Sequence, residues 1–408
     1  MSTATPPLSD VHGLAHVATA SFLAARLSPG GAFWIALAGG LALARAAQRH
    51  GLRPGYGASL AATIETVAIM GPARLMGPLT QAMSAPMLGR MEERGMRPAL
   101  QVLACGVVRL AHNALLTAFF IWVIVGGVDA YGGTHDALGG RLPLVPEGTA
   151  AALGLTAAGL LGWAVAGSAI QVGVYRRGLR AWRDATPGPA GPAAPEPTAA
   201  TGRRCDPRAV AVAAALALAC LLTGTAWATL AAVAAWLVLA AAYTGGDRDV
   251  LLAGLGVAAL LGLSALAFGL LGGLGADKAL RRAARAALLV AVATWMRAAA
   301  GPDGVREVAR RVLGRLRRVP AFPEATVVVE RLGSGRQLLG AGRALVADLR
   351  GVRHRPVPVL DAVLGWVRRE AGGFSAPAAR ARPALRARAR DAILVAAAAL
   401  PALAIALG

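Results

Sequence analysis

The feature that most constrains the fold of this chain is the recurrence of apolar blocks about twenty residues long. A helix needs about that length to cross the hydrocarbon core of a bilayer. The clearest blocks cover residues 11–27, 31–48, 103–127, 149–174, 209–225, 226–244, 250–275, 283–300 and 391–408. Hydrophobic residues make up 56% and charged residues 15% of the chain, against about 45–50% and 25% in soluble domains. The sequence therefore predicts an all-α, polytopic membrane protein with about nine spans or partial spans, located in the cell membrane.

Residues 57–89 depart from this pattern. The stretch carries Glu65 and Arg74 together with three prolines, Pro72, Pro78 and Pro86. Proline interrupts the hydrogen bonds of a helix, and a charge at the centre of a bilayer is costly. We expect a broken, re-entrant or interfacial element here rather than a regular span.

A segment rich in Pro, Gly and Ala, residues 185–204, is the strongest domain boundary in the chain. Its composition is typical of an extended linker, and arginines flank it on both sides, which favours a cytoplasmic position. The boundary divides the chain into an N-terminal module, residues 1–184, and a C-terminal module, residues 205–408. Residues 277–285 conflict with the resulting topology, because they carry four basic residues on the predicted outer side. Either the span count is different, or these side chains lie in a helix interface.

The net charge of +21 is explained by the concentration of arginine in cytoplasmic loops. A nucleic-acid interface is not expected, because the basic stretches lack interleaved aromatic residues. We also expect no catalytic activity and no cofactor. The only lysine, Lys278, lies between Asp277 and Ala279 and so cannot belong to a P-loop. The three cysteines are widely spaced and predict no metal site.

The most basic part of the chain is residues 301–390, with nineteen arginines and seven acidic residues. Within it, residues 304–318 have the 3.6-residue apolar period of an amphipathic helix. Residues 324–351 predict a second, long helix that Gly351 ends, residues 358–370 a third, and residues 375–390 a fourth. Arginine faces of this kind are also typical of helices that contact anionic lipid head groups. A non-transport membrane scaffold or lipid-surface-binding protein is therefore the alternative to the function considered next.

Two short motifs and the order of the elements carry a resemblance to a known family. The motifs are ADLRG (residues 347–351) and APAARARP (residues 376–383), preceded by RVPAFPEATVVVERL (residues 318–332). From about residue 206 to its end, the chain resembles the transmembrane T component of energy-coupling factor transporters, which are ABC-type importers of vitamins and metal ions. Several spans, a cytoplasmic hairpin of long basic helices and one last span follow each other as in that family.

The resemblance implies a partner and its contact residues. It places coupling helices within about residues 304–390 and implies that they bind separate ABC-type ATPase subunits, which supply the energy for uptake. Asp348, Arg350 and Gly351 belong to the first motif, with Arg350 as the docking arginine. Arg380 is the arginine of the second motif, in which Ala381 stands where the family has glycine. An always-charged, planar guanidinium suits a carboxylate on such a partner.

The N-terminal module is predicted to be either a fused substrate-binding membrane subunit or a second, degenerate T-like module. The second alternative is suggested by MEERGMRP (residues 91–98), although solvated loop charges also explain its Glu92 and Glu93. Polar residues inside a membrane are functional candidates, and the substrate-binding candidates are Glu65, Arg74, Gln81, His112 and Asn113. His12 and His16 lie one helical turn apart and predict either a metal contact or ordinary hydrogen bonds between helices. The small-residue pattern at Ala20 and Ala24 predicts close helix packing.

Overall fold

The computed structural model describes residues 9–27, 31–71, 78–140, 145, 147–183, 205–352, 356–374 and 387–407. These residues form helices and connecting loops and contain no strand. The first part of the chain folds into α1 (Ser9–Leu27), α2 (Ala32–His50), α3 (Leu52–Met70), α4 (Leu79–Glu93), α5 (Pro98–Phe119) with a π-helical extension (Phe120–Val125), α6 (Val128–Gly139) and α7 (Thr149–Arg183). The second part folds into α8 (Pro207–Thr223), α9 (Trp227–Thr244), α10 (Arg248–Leu271), α11 (Ala276–Arg315), α12 (Phe322–Glu330), α13 (Gly335–Arg350), α14 (Pro356–Gly373) and α15 (Ala389–Leu407).

Five helical segments among the described residues are long and apolar enough to cross a membrane. They are Pro98–Val125, Thr149–Trp182, Trp227–Thr244, Arg248–Leu271 and Ala276–Arg315, and α8 is apolar but shorter. The predicted all-α class with several helices able to cross a membrane is thus confirmed, whereas the total of nine spans stays a prediction. In the stretch 57–89, α3 ends before Gly71, and α4 contains Pro86 inside the helix.

The first two apolar blocks form α1 and α2, but protein covers both helices. α1 is buried along nearly its whole length and packs against α2, α3, α13 and α14. Small residues permit the close approach. A Cβ added at Gly342 of α13 would lie 2.7 Å from the Ala20 carbonyl oxygen and 3.1 Å from the Ala24 Cβ. The predicted close packing at Ala20 and Ala24 is therefore confirmed, with α13 as the partner helix.

The arginine-rich segment folds differently from its prediction in one respect. The expectation of one helix over residues 324–351 is wrong, because α12 ends at Glu330 and α13 begins at Gly335. Ser334 starts the new helix through a capping box: the Gln337 backbone N–H donates to Ser334 Oγ at 3.4 Å, and the Ser334 N–H donates to Gln337 Oε1 at 2.8 Å. Of the predicted helix 304–318, residues 304–315 form the last part of α11, which bends at Gly301 (φ 66°), and residues 316–318 lie in a turn. Of the predicted fourth helix, residues 375–386 lie outside the described residues.

The basic stretch 277–285 lies against the ends of two neighbouring helices. Arg282 donates hydrogen bonds to the carbonyl oxygens of Val125 and Gly126, where the π-helical segment ends. Arg285 donates to carbonyl oxygens in the last turn of α8 at 2.5 and 2.8 Å. The last carbonyls of a helix lack intrahelical partners and carry partial negative charge. These arginines therefore have local roles in helix interfaces, as the second alternative for this stretch proposed.

Helices of the second part of the chain pack against the first part. α11 and α12 contact α3, α13 contacts α1, and α14 contacts α1, α2 and α7, while α15 returns to α8 and α9. The linker at residues 185–204 lies outside the described residues, and the division into two modules stays a prediction. The arginine-rich segment is thus built around the N-terminal helices rather than standing apart from them.

Candidate functional site

The C-terminal end of α13 carries the residues of the ADLRG motif. Arg350 is the last residue of the helix and is exposed, and Gly351 follows as the C-cap with φ −74°, a conformation open to any residue. A Cβ added at Gly351 would have no neighbour within 4 Å in the part of the chain that the structure describes. Gly351 therefore leaves open space beside the Arg350 guanidinium, which another molecule can approach.

The opposite face of α13 anchors this end to the protein. Leu338, Leu345 and Leu349 are buried in the same apolar cluster as α1 and α2. Gly342 adds the close contact with α1 described above. Arg350 thus stands on a helix whose position is fixed by packing along its length.

Asp348 and Arg350 differ in their surroundings although they are two residues apart. Asp348 Oδ2 accepts a hydrogen bond from Arg369 Nη2 of α14 at 2.7 Å, in a pair whose side chains are both exposed. An exposed pair of this kind contributes little to stability. No ion pair with Arg350 is found among the residues that the structure describes. Arg380, the predicted second contact, lies outside those residues.

Glu65, a substrate-binding candidate, joins α3 to α11. Its side chain is completely buried, and Arg306 donates to both carboxylate oxygens, with the Nε–Oε2 distance at 2.6 Å. Arg306 also donates to Asp303 Oδ1 at 2.6 Å. The ion pair connects helices from the two parts of the chain, just after the bend at Gly301. Arg74, the other charged candidate in this region, lies outside the described residues.

A second buried polar group lies between α4, α5 and α7, and we call Ser84, Cys105, Arg109 and Gln171 the polar network. Gln171 Oε1 accepts from Arg109 Nη2 at 2.6 Å and from Cys105 Sγ at 3.4 Å, and its Nε2 donates to Ser84 Oγ at 2.9 Å. None of these four side chains is among the five substrate-binding candidates. Arg109 and Gln171 nevertheless carry the sequence signal of an intramembrane polar candidate, because each lies on a long apolar helix.

Three substrate-binding candidates lie beside the polar network. Gln81 is buried on α4 near the Tyr175 hydroxyl, and its Oε1 atom has no hydrogen-bond partner among the described residues. His112 and Asn113 lie on α5 one turn beyond Arg109, with His112 buried. Gln81, His112 and Asn113 thus lie on two of the helices that form the polar network, whereas Glu65 is paired with Arg306.

Arg109 is the unusual member of the network, because its charge lies within a candidate membrane span. Its side chain is 2% exposed, and its guanidinium lies 5.7 Å from the ring centres of both Phe33 and Trp163. Cation–π contacts and the hydrogen bond to Gln171 stabilise it. No acidic side chain among the described residues forms an ion pair with it. A charge without a counter-charge at this depth marks a functional candidate.

The expectation that Glu92 is a solvated loop charge is wrong. Glu92 is buried at the end of α4, where its carboxylate lies 3.1 Å from Arg176 and 3.0 Å from Arg180 and accepts a hydrogen bond from Gln101 at 2.9 Å. The two arginines are spaced i,i+4 on α7, so they point to the same side. Glu93, by contrast, lies on the surface and pairs with Arg90.

The two N-terminal histidines are buried in α1. His16 Nε2 lies 3.6 Å from Glu370 Oε1 of α14, and its ring stacks on Phe374 at 4.5 Å. Over the described ranges, no group of three or more His, Cys, Asp or Glu side chains is arranged to hold a metal ion. His16 therefore contributes to the contact between α1 and α14.

Neither a protein-family model, nor a curated protein, nor a solved structure matches this chain.

Proposed function

We propose that this protein is a membrane subunit of an energy-coupling factor type importer. In this proposal, separate ABC-type ATPase subunits bind the end of α13 and drive the uptake of a micronutrient, a vitamin or a metal ion. The observation that carries the proposal is that Arg350 is exposed and lies next to open space at Gly351, at the end of a helix that is packed into the protein.

The contacts of α13 favour the transmission of force over simple tethering. A displacement at Arg350 acts on a helix whose buried leucines and Gly342 contact α1. The Glu65–Arg306 ion pair then links α3 to α11, one of the candidate membrane spans. Rigid helices joined in this way can carry a nucleotide-driven motion of a partner to the membrane part.

Arg350 is the most suitable docking residue on this surface. Asp348 is occupied by Arg369, whereas Arg350 is available to a carboxylate of a partner. Arginine binds a carboxylate through two parallel hydrogen bonds, which gives both affinity and orientation. We assign Asp348 a supporting role, in which its pair with Arg369 keeps the Asp348 carboxylate from pairing with Arg350.

The test is the co-purification of an ATPase with the Arg350→Ala variant. Removal of one member of a buried, hydrogen-bonded charge pair at an interface costs about 2–5 kcal/mol, which is sufficient to dissociate a complex during purification. The matched control is Arg336→Ala, because Arg336 is exposed on the first turn of the same helix. We expect Arg350→Ala to lose the ATPase and Arg336→Ala to retain it.

Equal and small effects of the two substitutions would contradict the proposal. A surface arginine that only faces anionic lipid contributes about 1 kcal/mol, shared with its neighbours. That outcome would favour the alternative, a non-transport protein whose basic helices contact the membrane surface.

A further inference from the structure

A groove between α2, α7 and α14 has no assigned role. It encloses about 310 Å³. α2 contributes Trp34 and Leu37, α14 contributes Val359, Leu360 and Val363, and the remaining lining residues belong to α7. The lining is apolar except for one charged side chain, Arg177.

The lining residues of α7 form one continuous stripe. Ala169, Ile170, Gly173, Val174 and Arg177 recur at the spacing of a single helix face. The stripe covers about 12 Å, from the interior of a candidate membrane span to its arginine-rich end. Its apolar part is accessible from outside the protein, since Ile170 is 37% exposed.

Arg177 differs from the arginines beside it. Arg176 and Arg180 are both bound to the buried carboxylate of Glu92. Arg177 instead lines the groove, is exposed, and forms no ion pair with any described residue. It is thus the basic side chain in this turn that remains available to an external anion.

We propose that the groove binds one anionic glycerophospholipid, with an acyl chain along the α7 stripe and the phosphate at Arg177. An apolar channel with a single cation at its membrane-surface end matches the two halves of such a lipid, and basic pockets between membrane helices are typical sites for anionic head groups. Neutral lipid and free phosphate each match only one half of the site. Because α14 forms one wall, the lipid connects the arginine-rich segment to α2 and α7. The proposal is independent of ATPase binding.

Gly173 permits a direct test, since a Cβ at this position would have no neighbour within 4 Å. Gly173→Leu therefore fills the groove without displacing the backbone. Gly162→Leu is the matched control, because Gly162 is exposed on the same helix, also has free space, and does not line the groove. Both substitutions replace a helical glycine by leucine, so their effects on helix propensity are the same.

The measurement is native mass spectrometry of protein released from nanodiscs that contain phosphatidylglycerol and phosphatidylcholine in equal amounts. We expect the unaltered protein and Gly162→Leu to retain one phosphatidylglycerol, and Gly173→Leu to lose it. Arg177→Gln should keep bound lipid but reduce the preference for phosphatidylglycerol about fivefold, which corresponds to about 1 kcal/mol for one arginine near anionic lipid. The Arg177 variant also tests the proposal if Gly173→Leu does not fold.

Two outcomes would overturn the proposal. The first is equal retention of phosphatidylglycerol by Gly173→Leu and Gly162→Leu. The second is an equal preference for phosphatidylglycerol over phosphatidylcholine in the unaltered protein and in Arg177→Gln. Loss of ATPase binding in Arg350→Ala has no bearing on either result.

Discussion

The Glu65–Arg306 ion pair gives the sharpest prediction about how the two parts of the chain are joined. Glu65 is 0% exposed, and Arg306, whose side chain is 11% exposed, donates two hydrogen bonds to it across the interface between α3 and α11. The perturbation is Arg306→Ala, which removes both hydrogen bonds and leaves the carboxylate buried without this cation.

The expected loss is large because of the burial. Removing one member of a buried ion pair costs about 3–5 kcal/mol, since the remaining charge stays in a medium of low dielectric. The contact of Arg306 with Asp303, which is on the surface, adds at most about 1 kcal/mol. The matched control is Arg281→Ala, which removes an arginine of the same helix from an exposed pair with Asp277 and should cost about 0.2–1 kcal/mol.

The assay is the free energy of unfolding of the detergent-solubilised protein, measured for both variants and for the double variant Glu65→Met/Arg306→Met. Replacement of a buried ion pair by apolar side chains is often neutral or stabilising. The double variant should therefore be more stable than Arg306→Ala. A cost for Arg306→Ala no larger than that of Arg281→Ala would refute the reasoning, and so would a double variant that is less stable than Arg306→Ala.

Three further predictions concern other regions. Asp206 caps α8, and hydrogen bonds from the Arg208 side chain lower its pKa. Its contribution to stability is therefore present above the unfolded pKa of about 3.9 and lost as the pH falls through the lower folded value, so Asp206→Asn should flatten the decline of the thermal midpoint below about pH 4. A cysteine at the exposed Ala347 should react with an impermeant maleimide in inverted vesicles only, because we expect α13 to be cytoplasmic. The three native cysteines are buried and should give little background, and reaction in intact cells would contradict this position. Arg109→Met should change the free energy of unfolding by no more than about 1 kcal/mol, because the cost of its buried charge offsets its ring contacts and hydrogen bond; a loss as large as that of Arg306→Ala would indicate a counter-charge.

Local patterns in the sequence predicted the helical class and several helix ends. Apolar blocks of fixed length mark α5, α7, α9 and α10, and Arg350 ends α13 as expected. The break before α13 could also have been predicted, because Ser334 and Gln337 have the spacing of a capping box.

Long-range contacts were not predictable from the same patterns. Glu65 and Arg306 are separated by 241 residues, and the sequence around each residue does not indicate that the two form an ion pair. Glu92 lies in a charged stretch typical of a surface loop, and only the approach of α7 buries it. The burial of α1 also depends on long-range contacts. Its apolar surface could face either protein or lipid, and it faces protein because α13 and α14 pack against it.

Photo-cross-linking from Gly351 tests most directly whether an ABC-type ATPase binds beside Arg350, as we propose. A photoreactive residue fits at Gly351 and equally at Gly340, which is also exposed on α13 with no neighbour within 4 Å. In native membranes, we expect mass spectrometry to identify a polypeptide with a P-loop among the adducts from position 351 and none from position 340. Adducts with lipid alone at position 351 would contradict the proposed coupling.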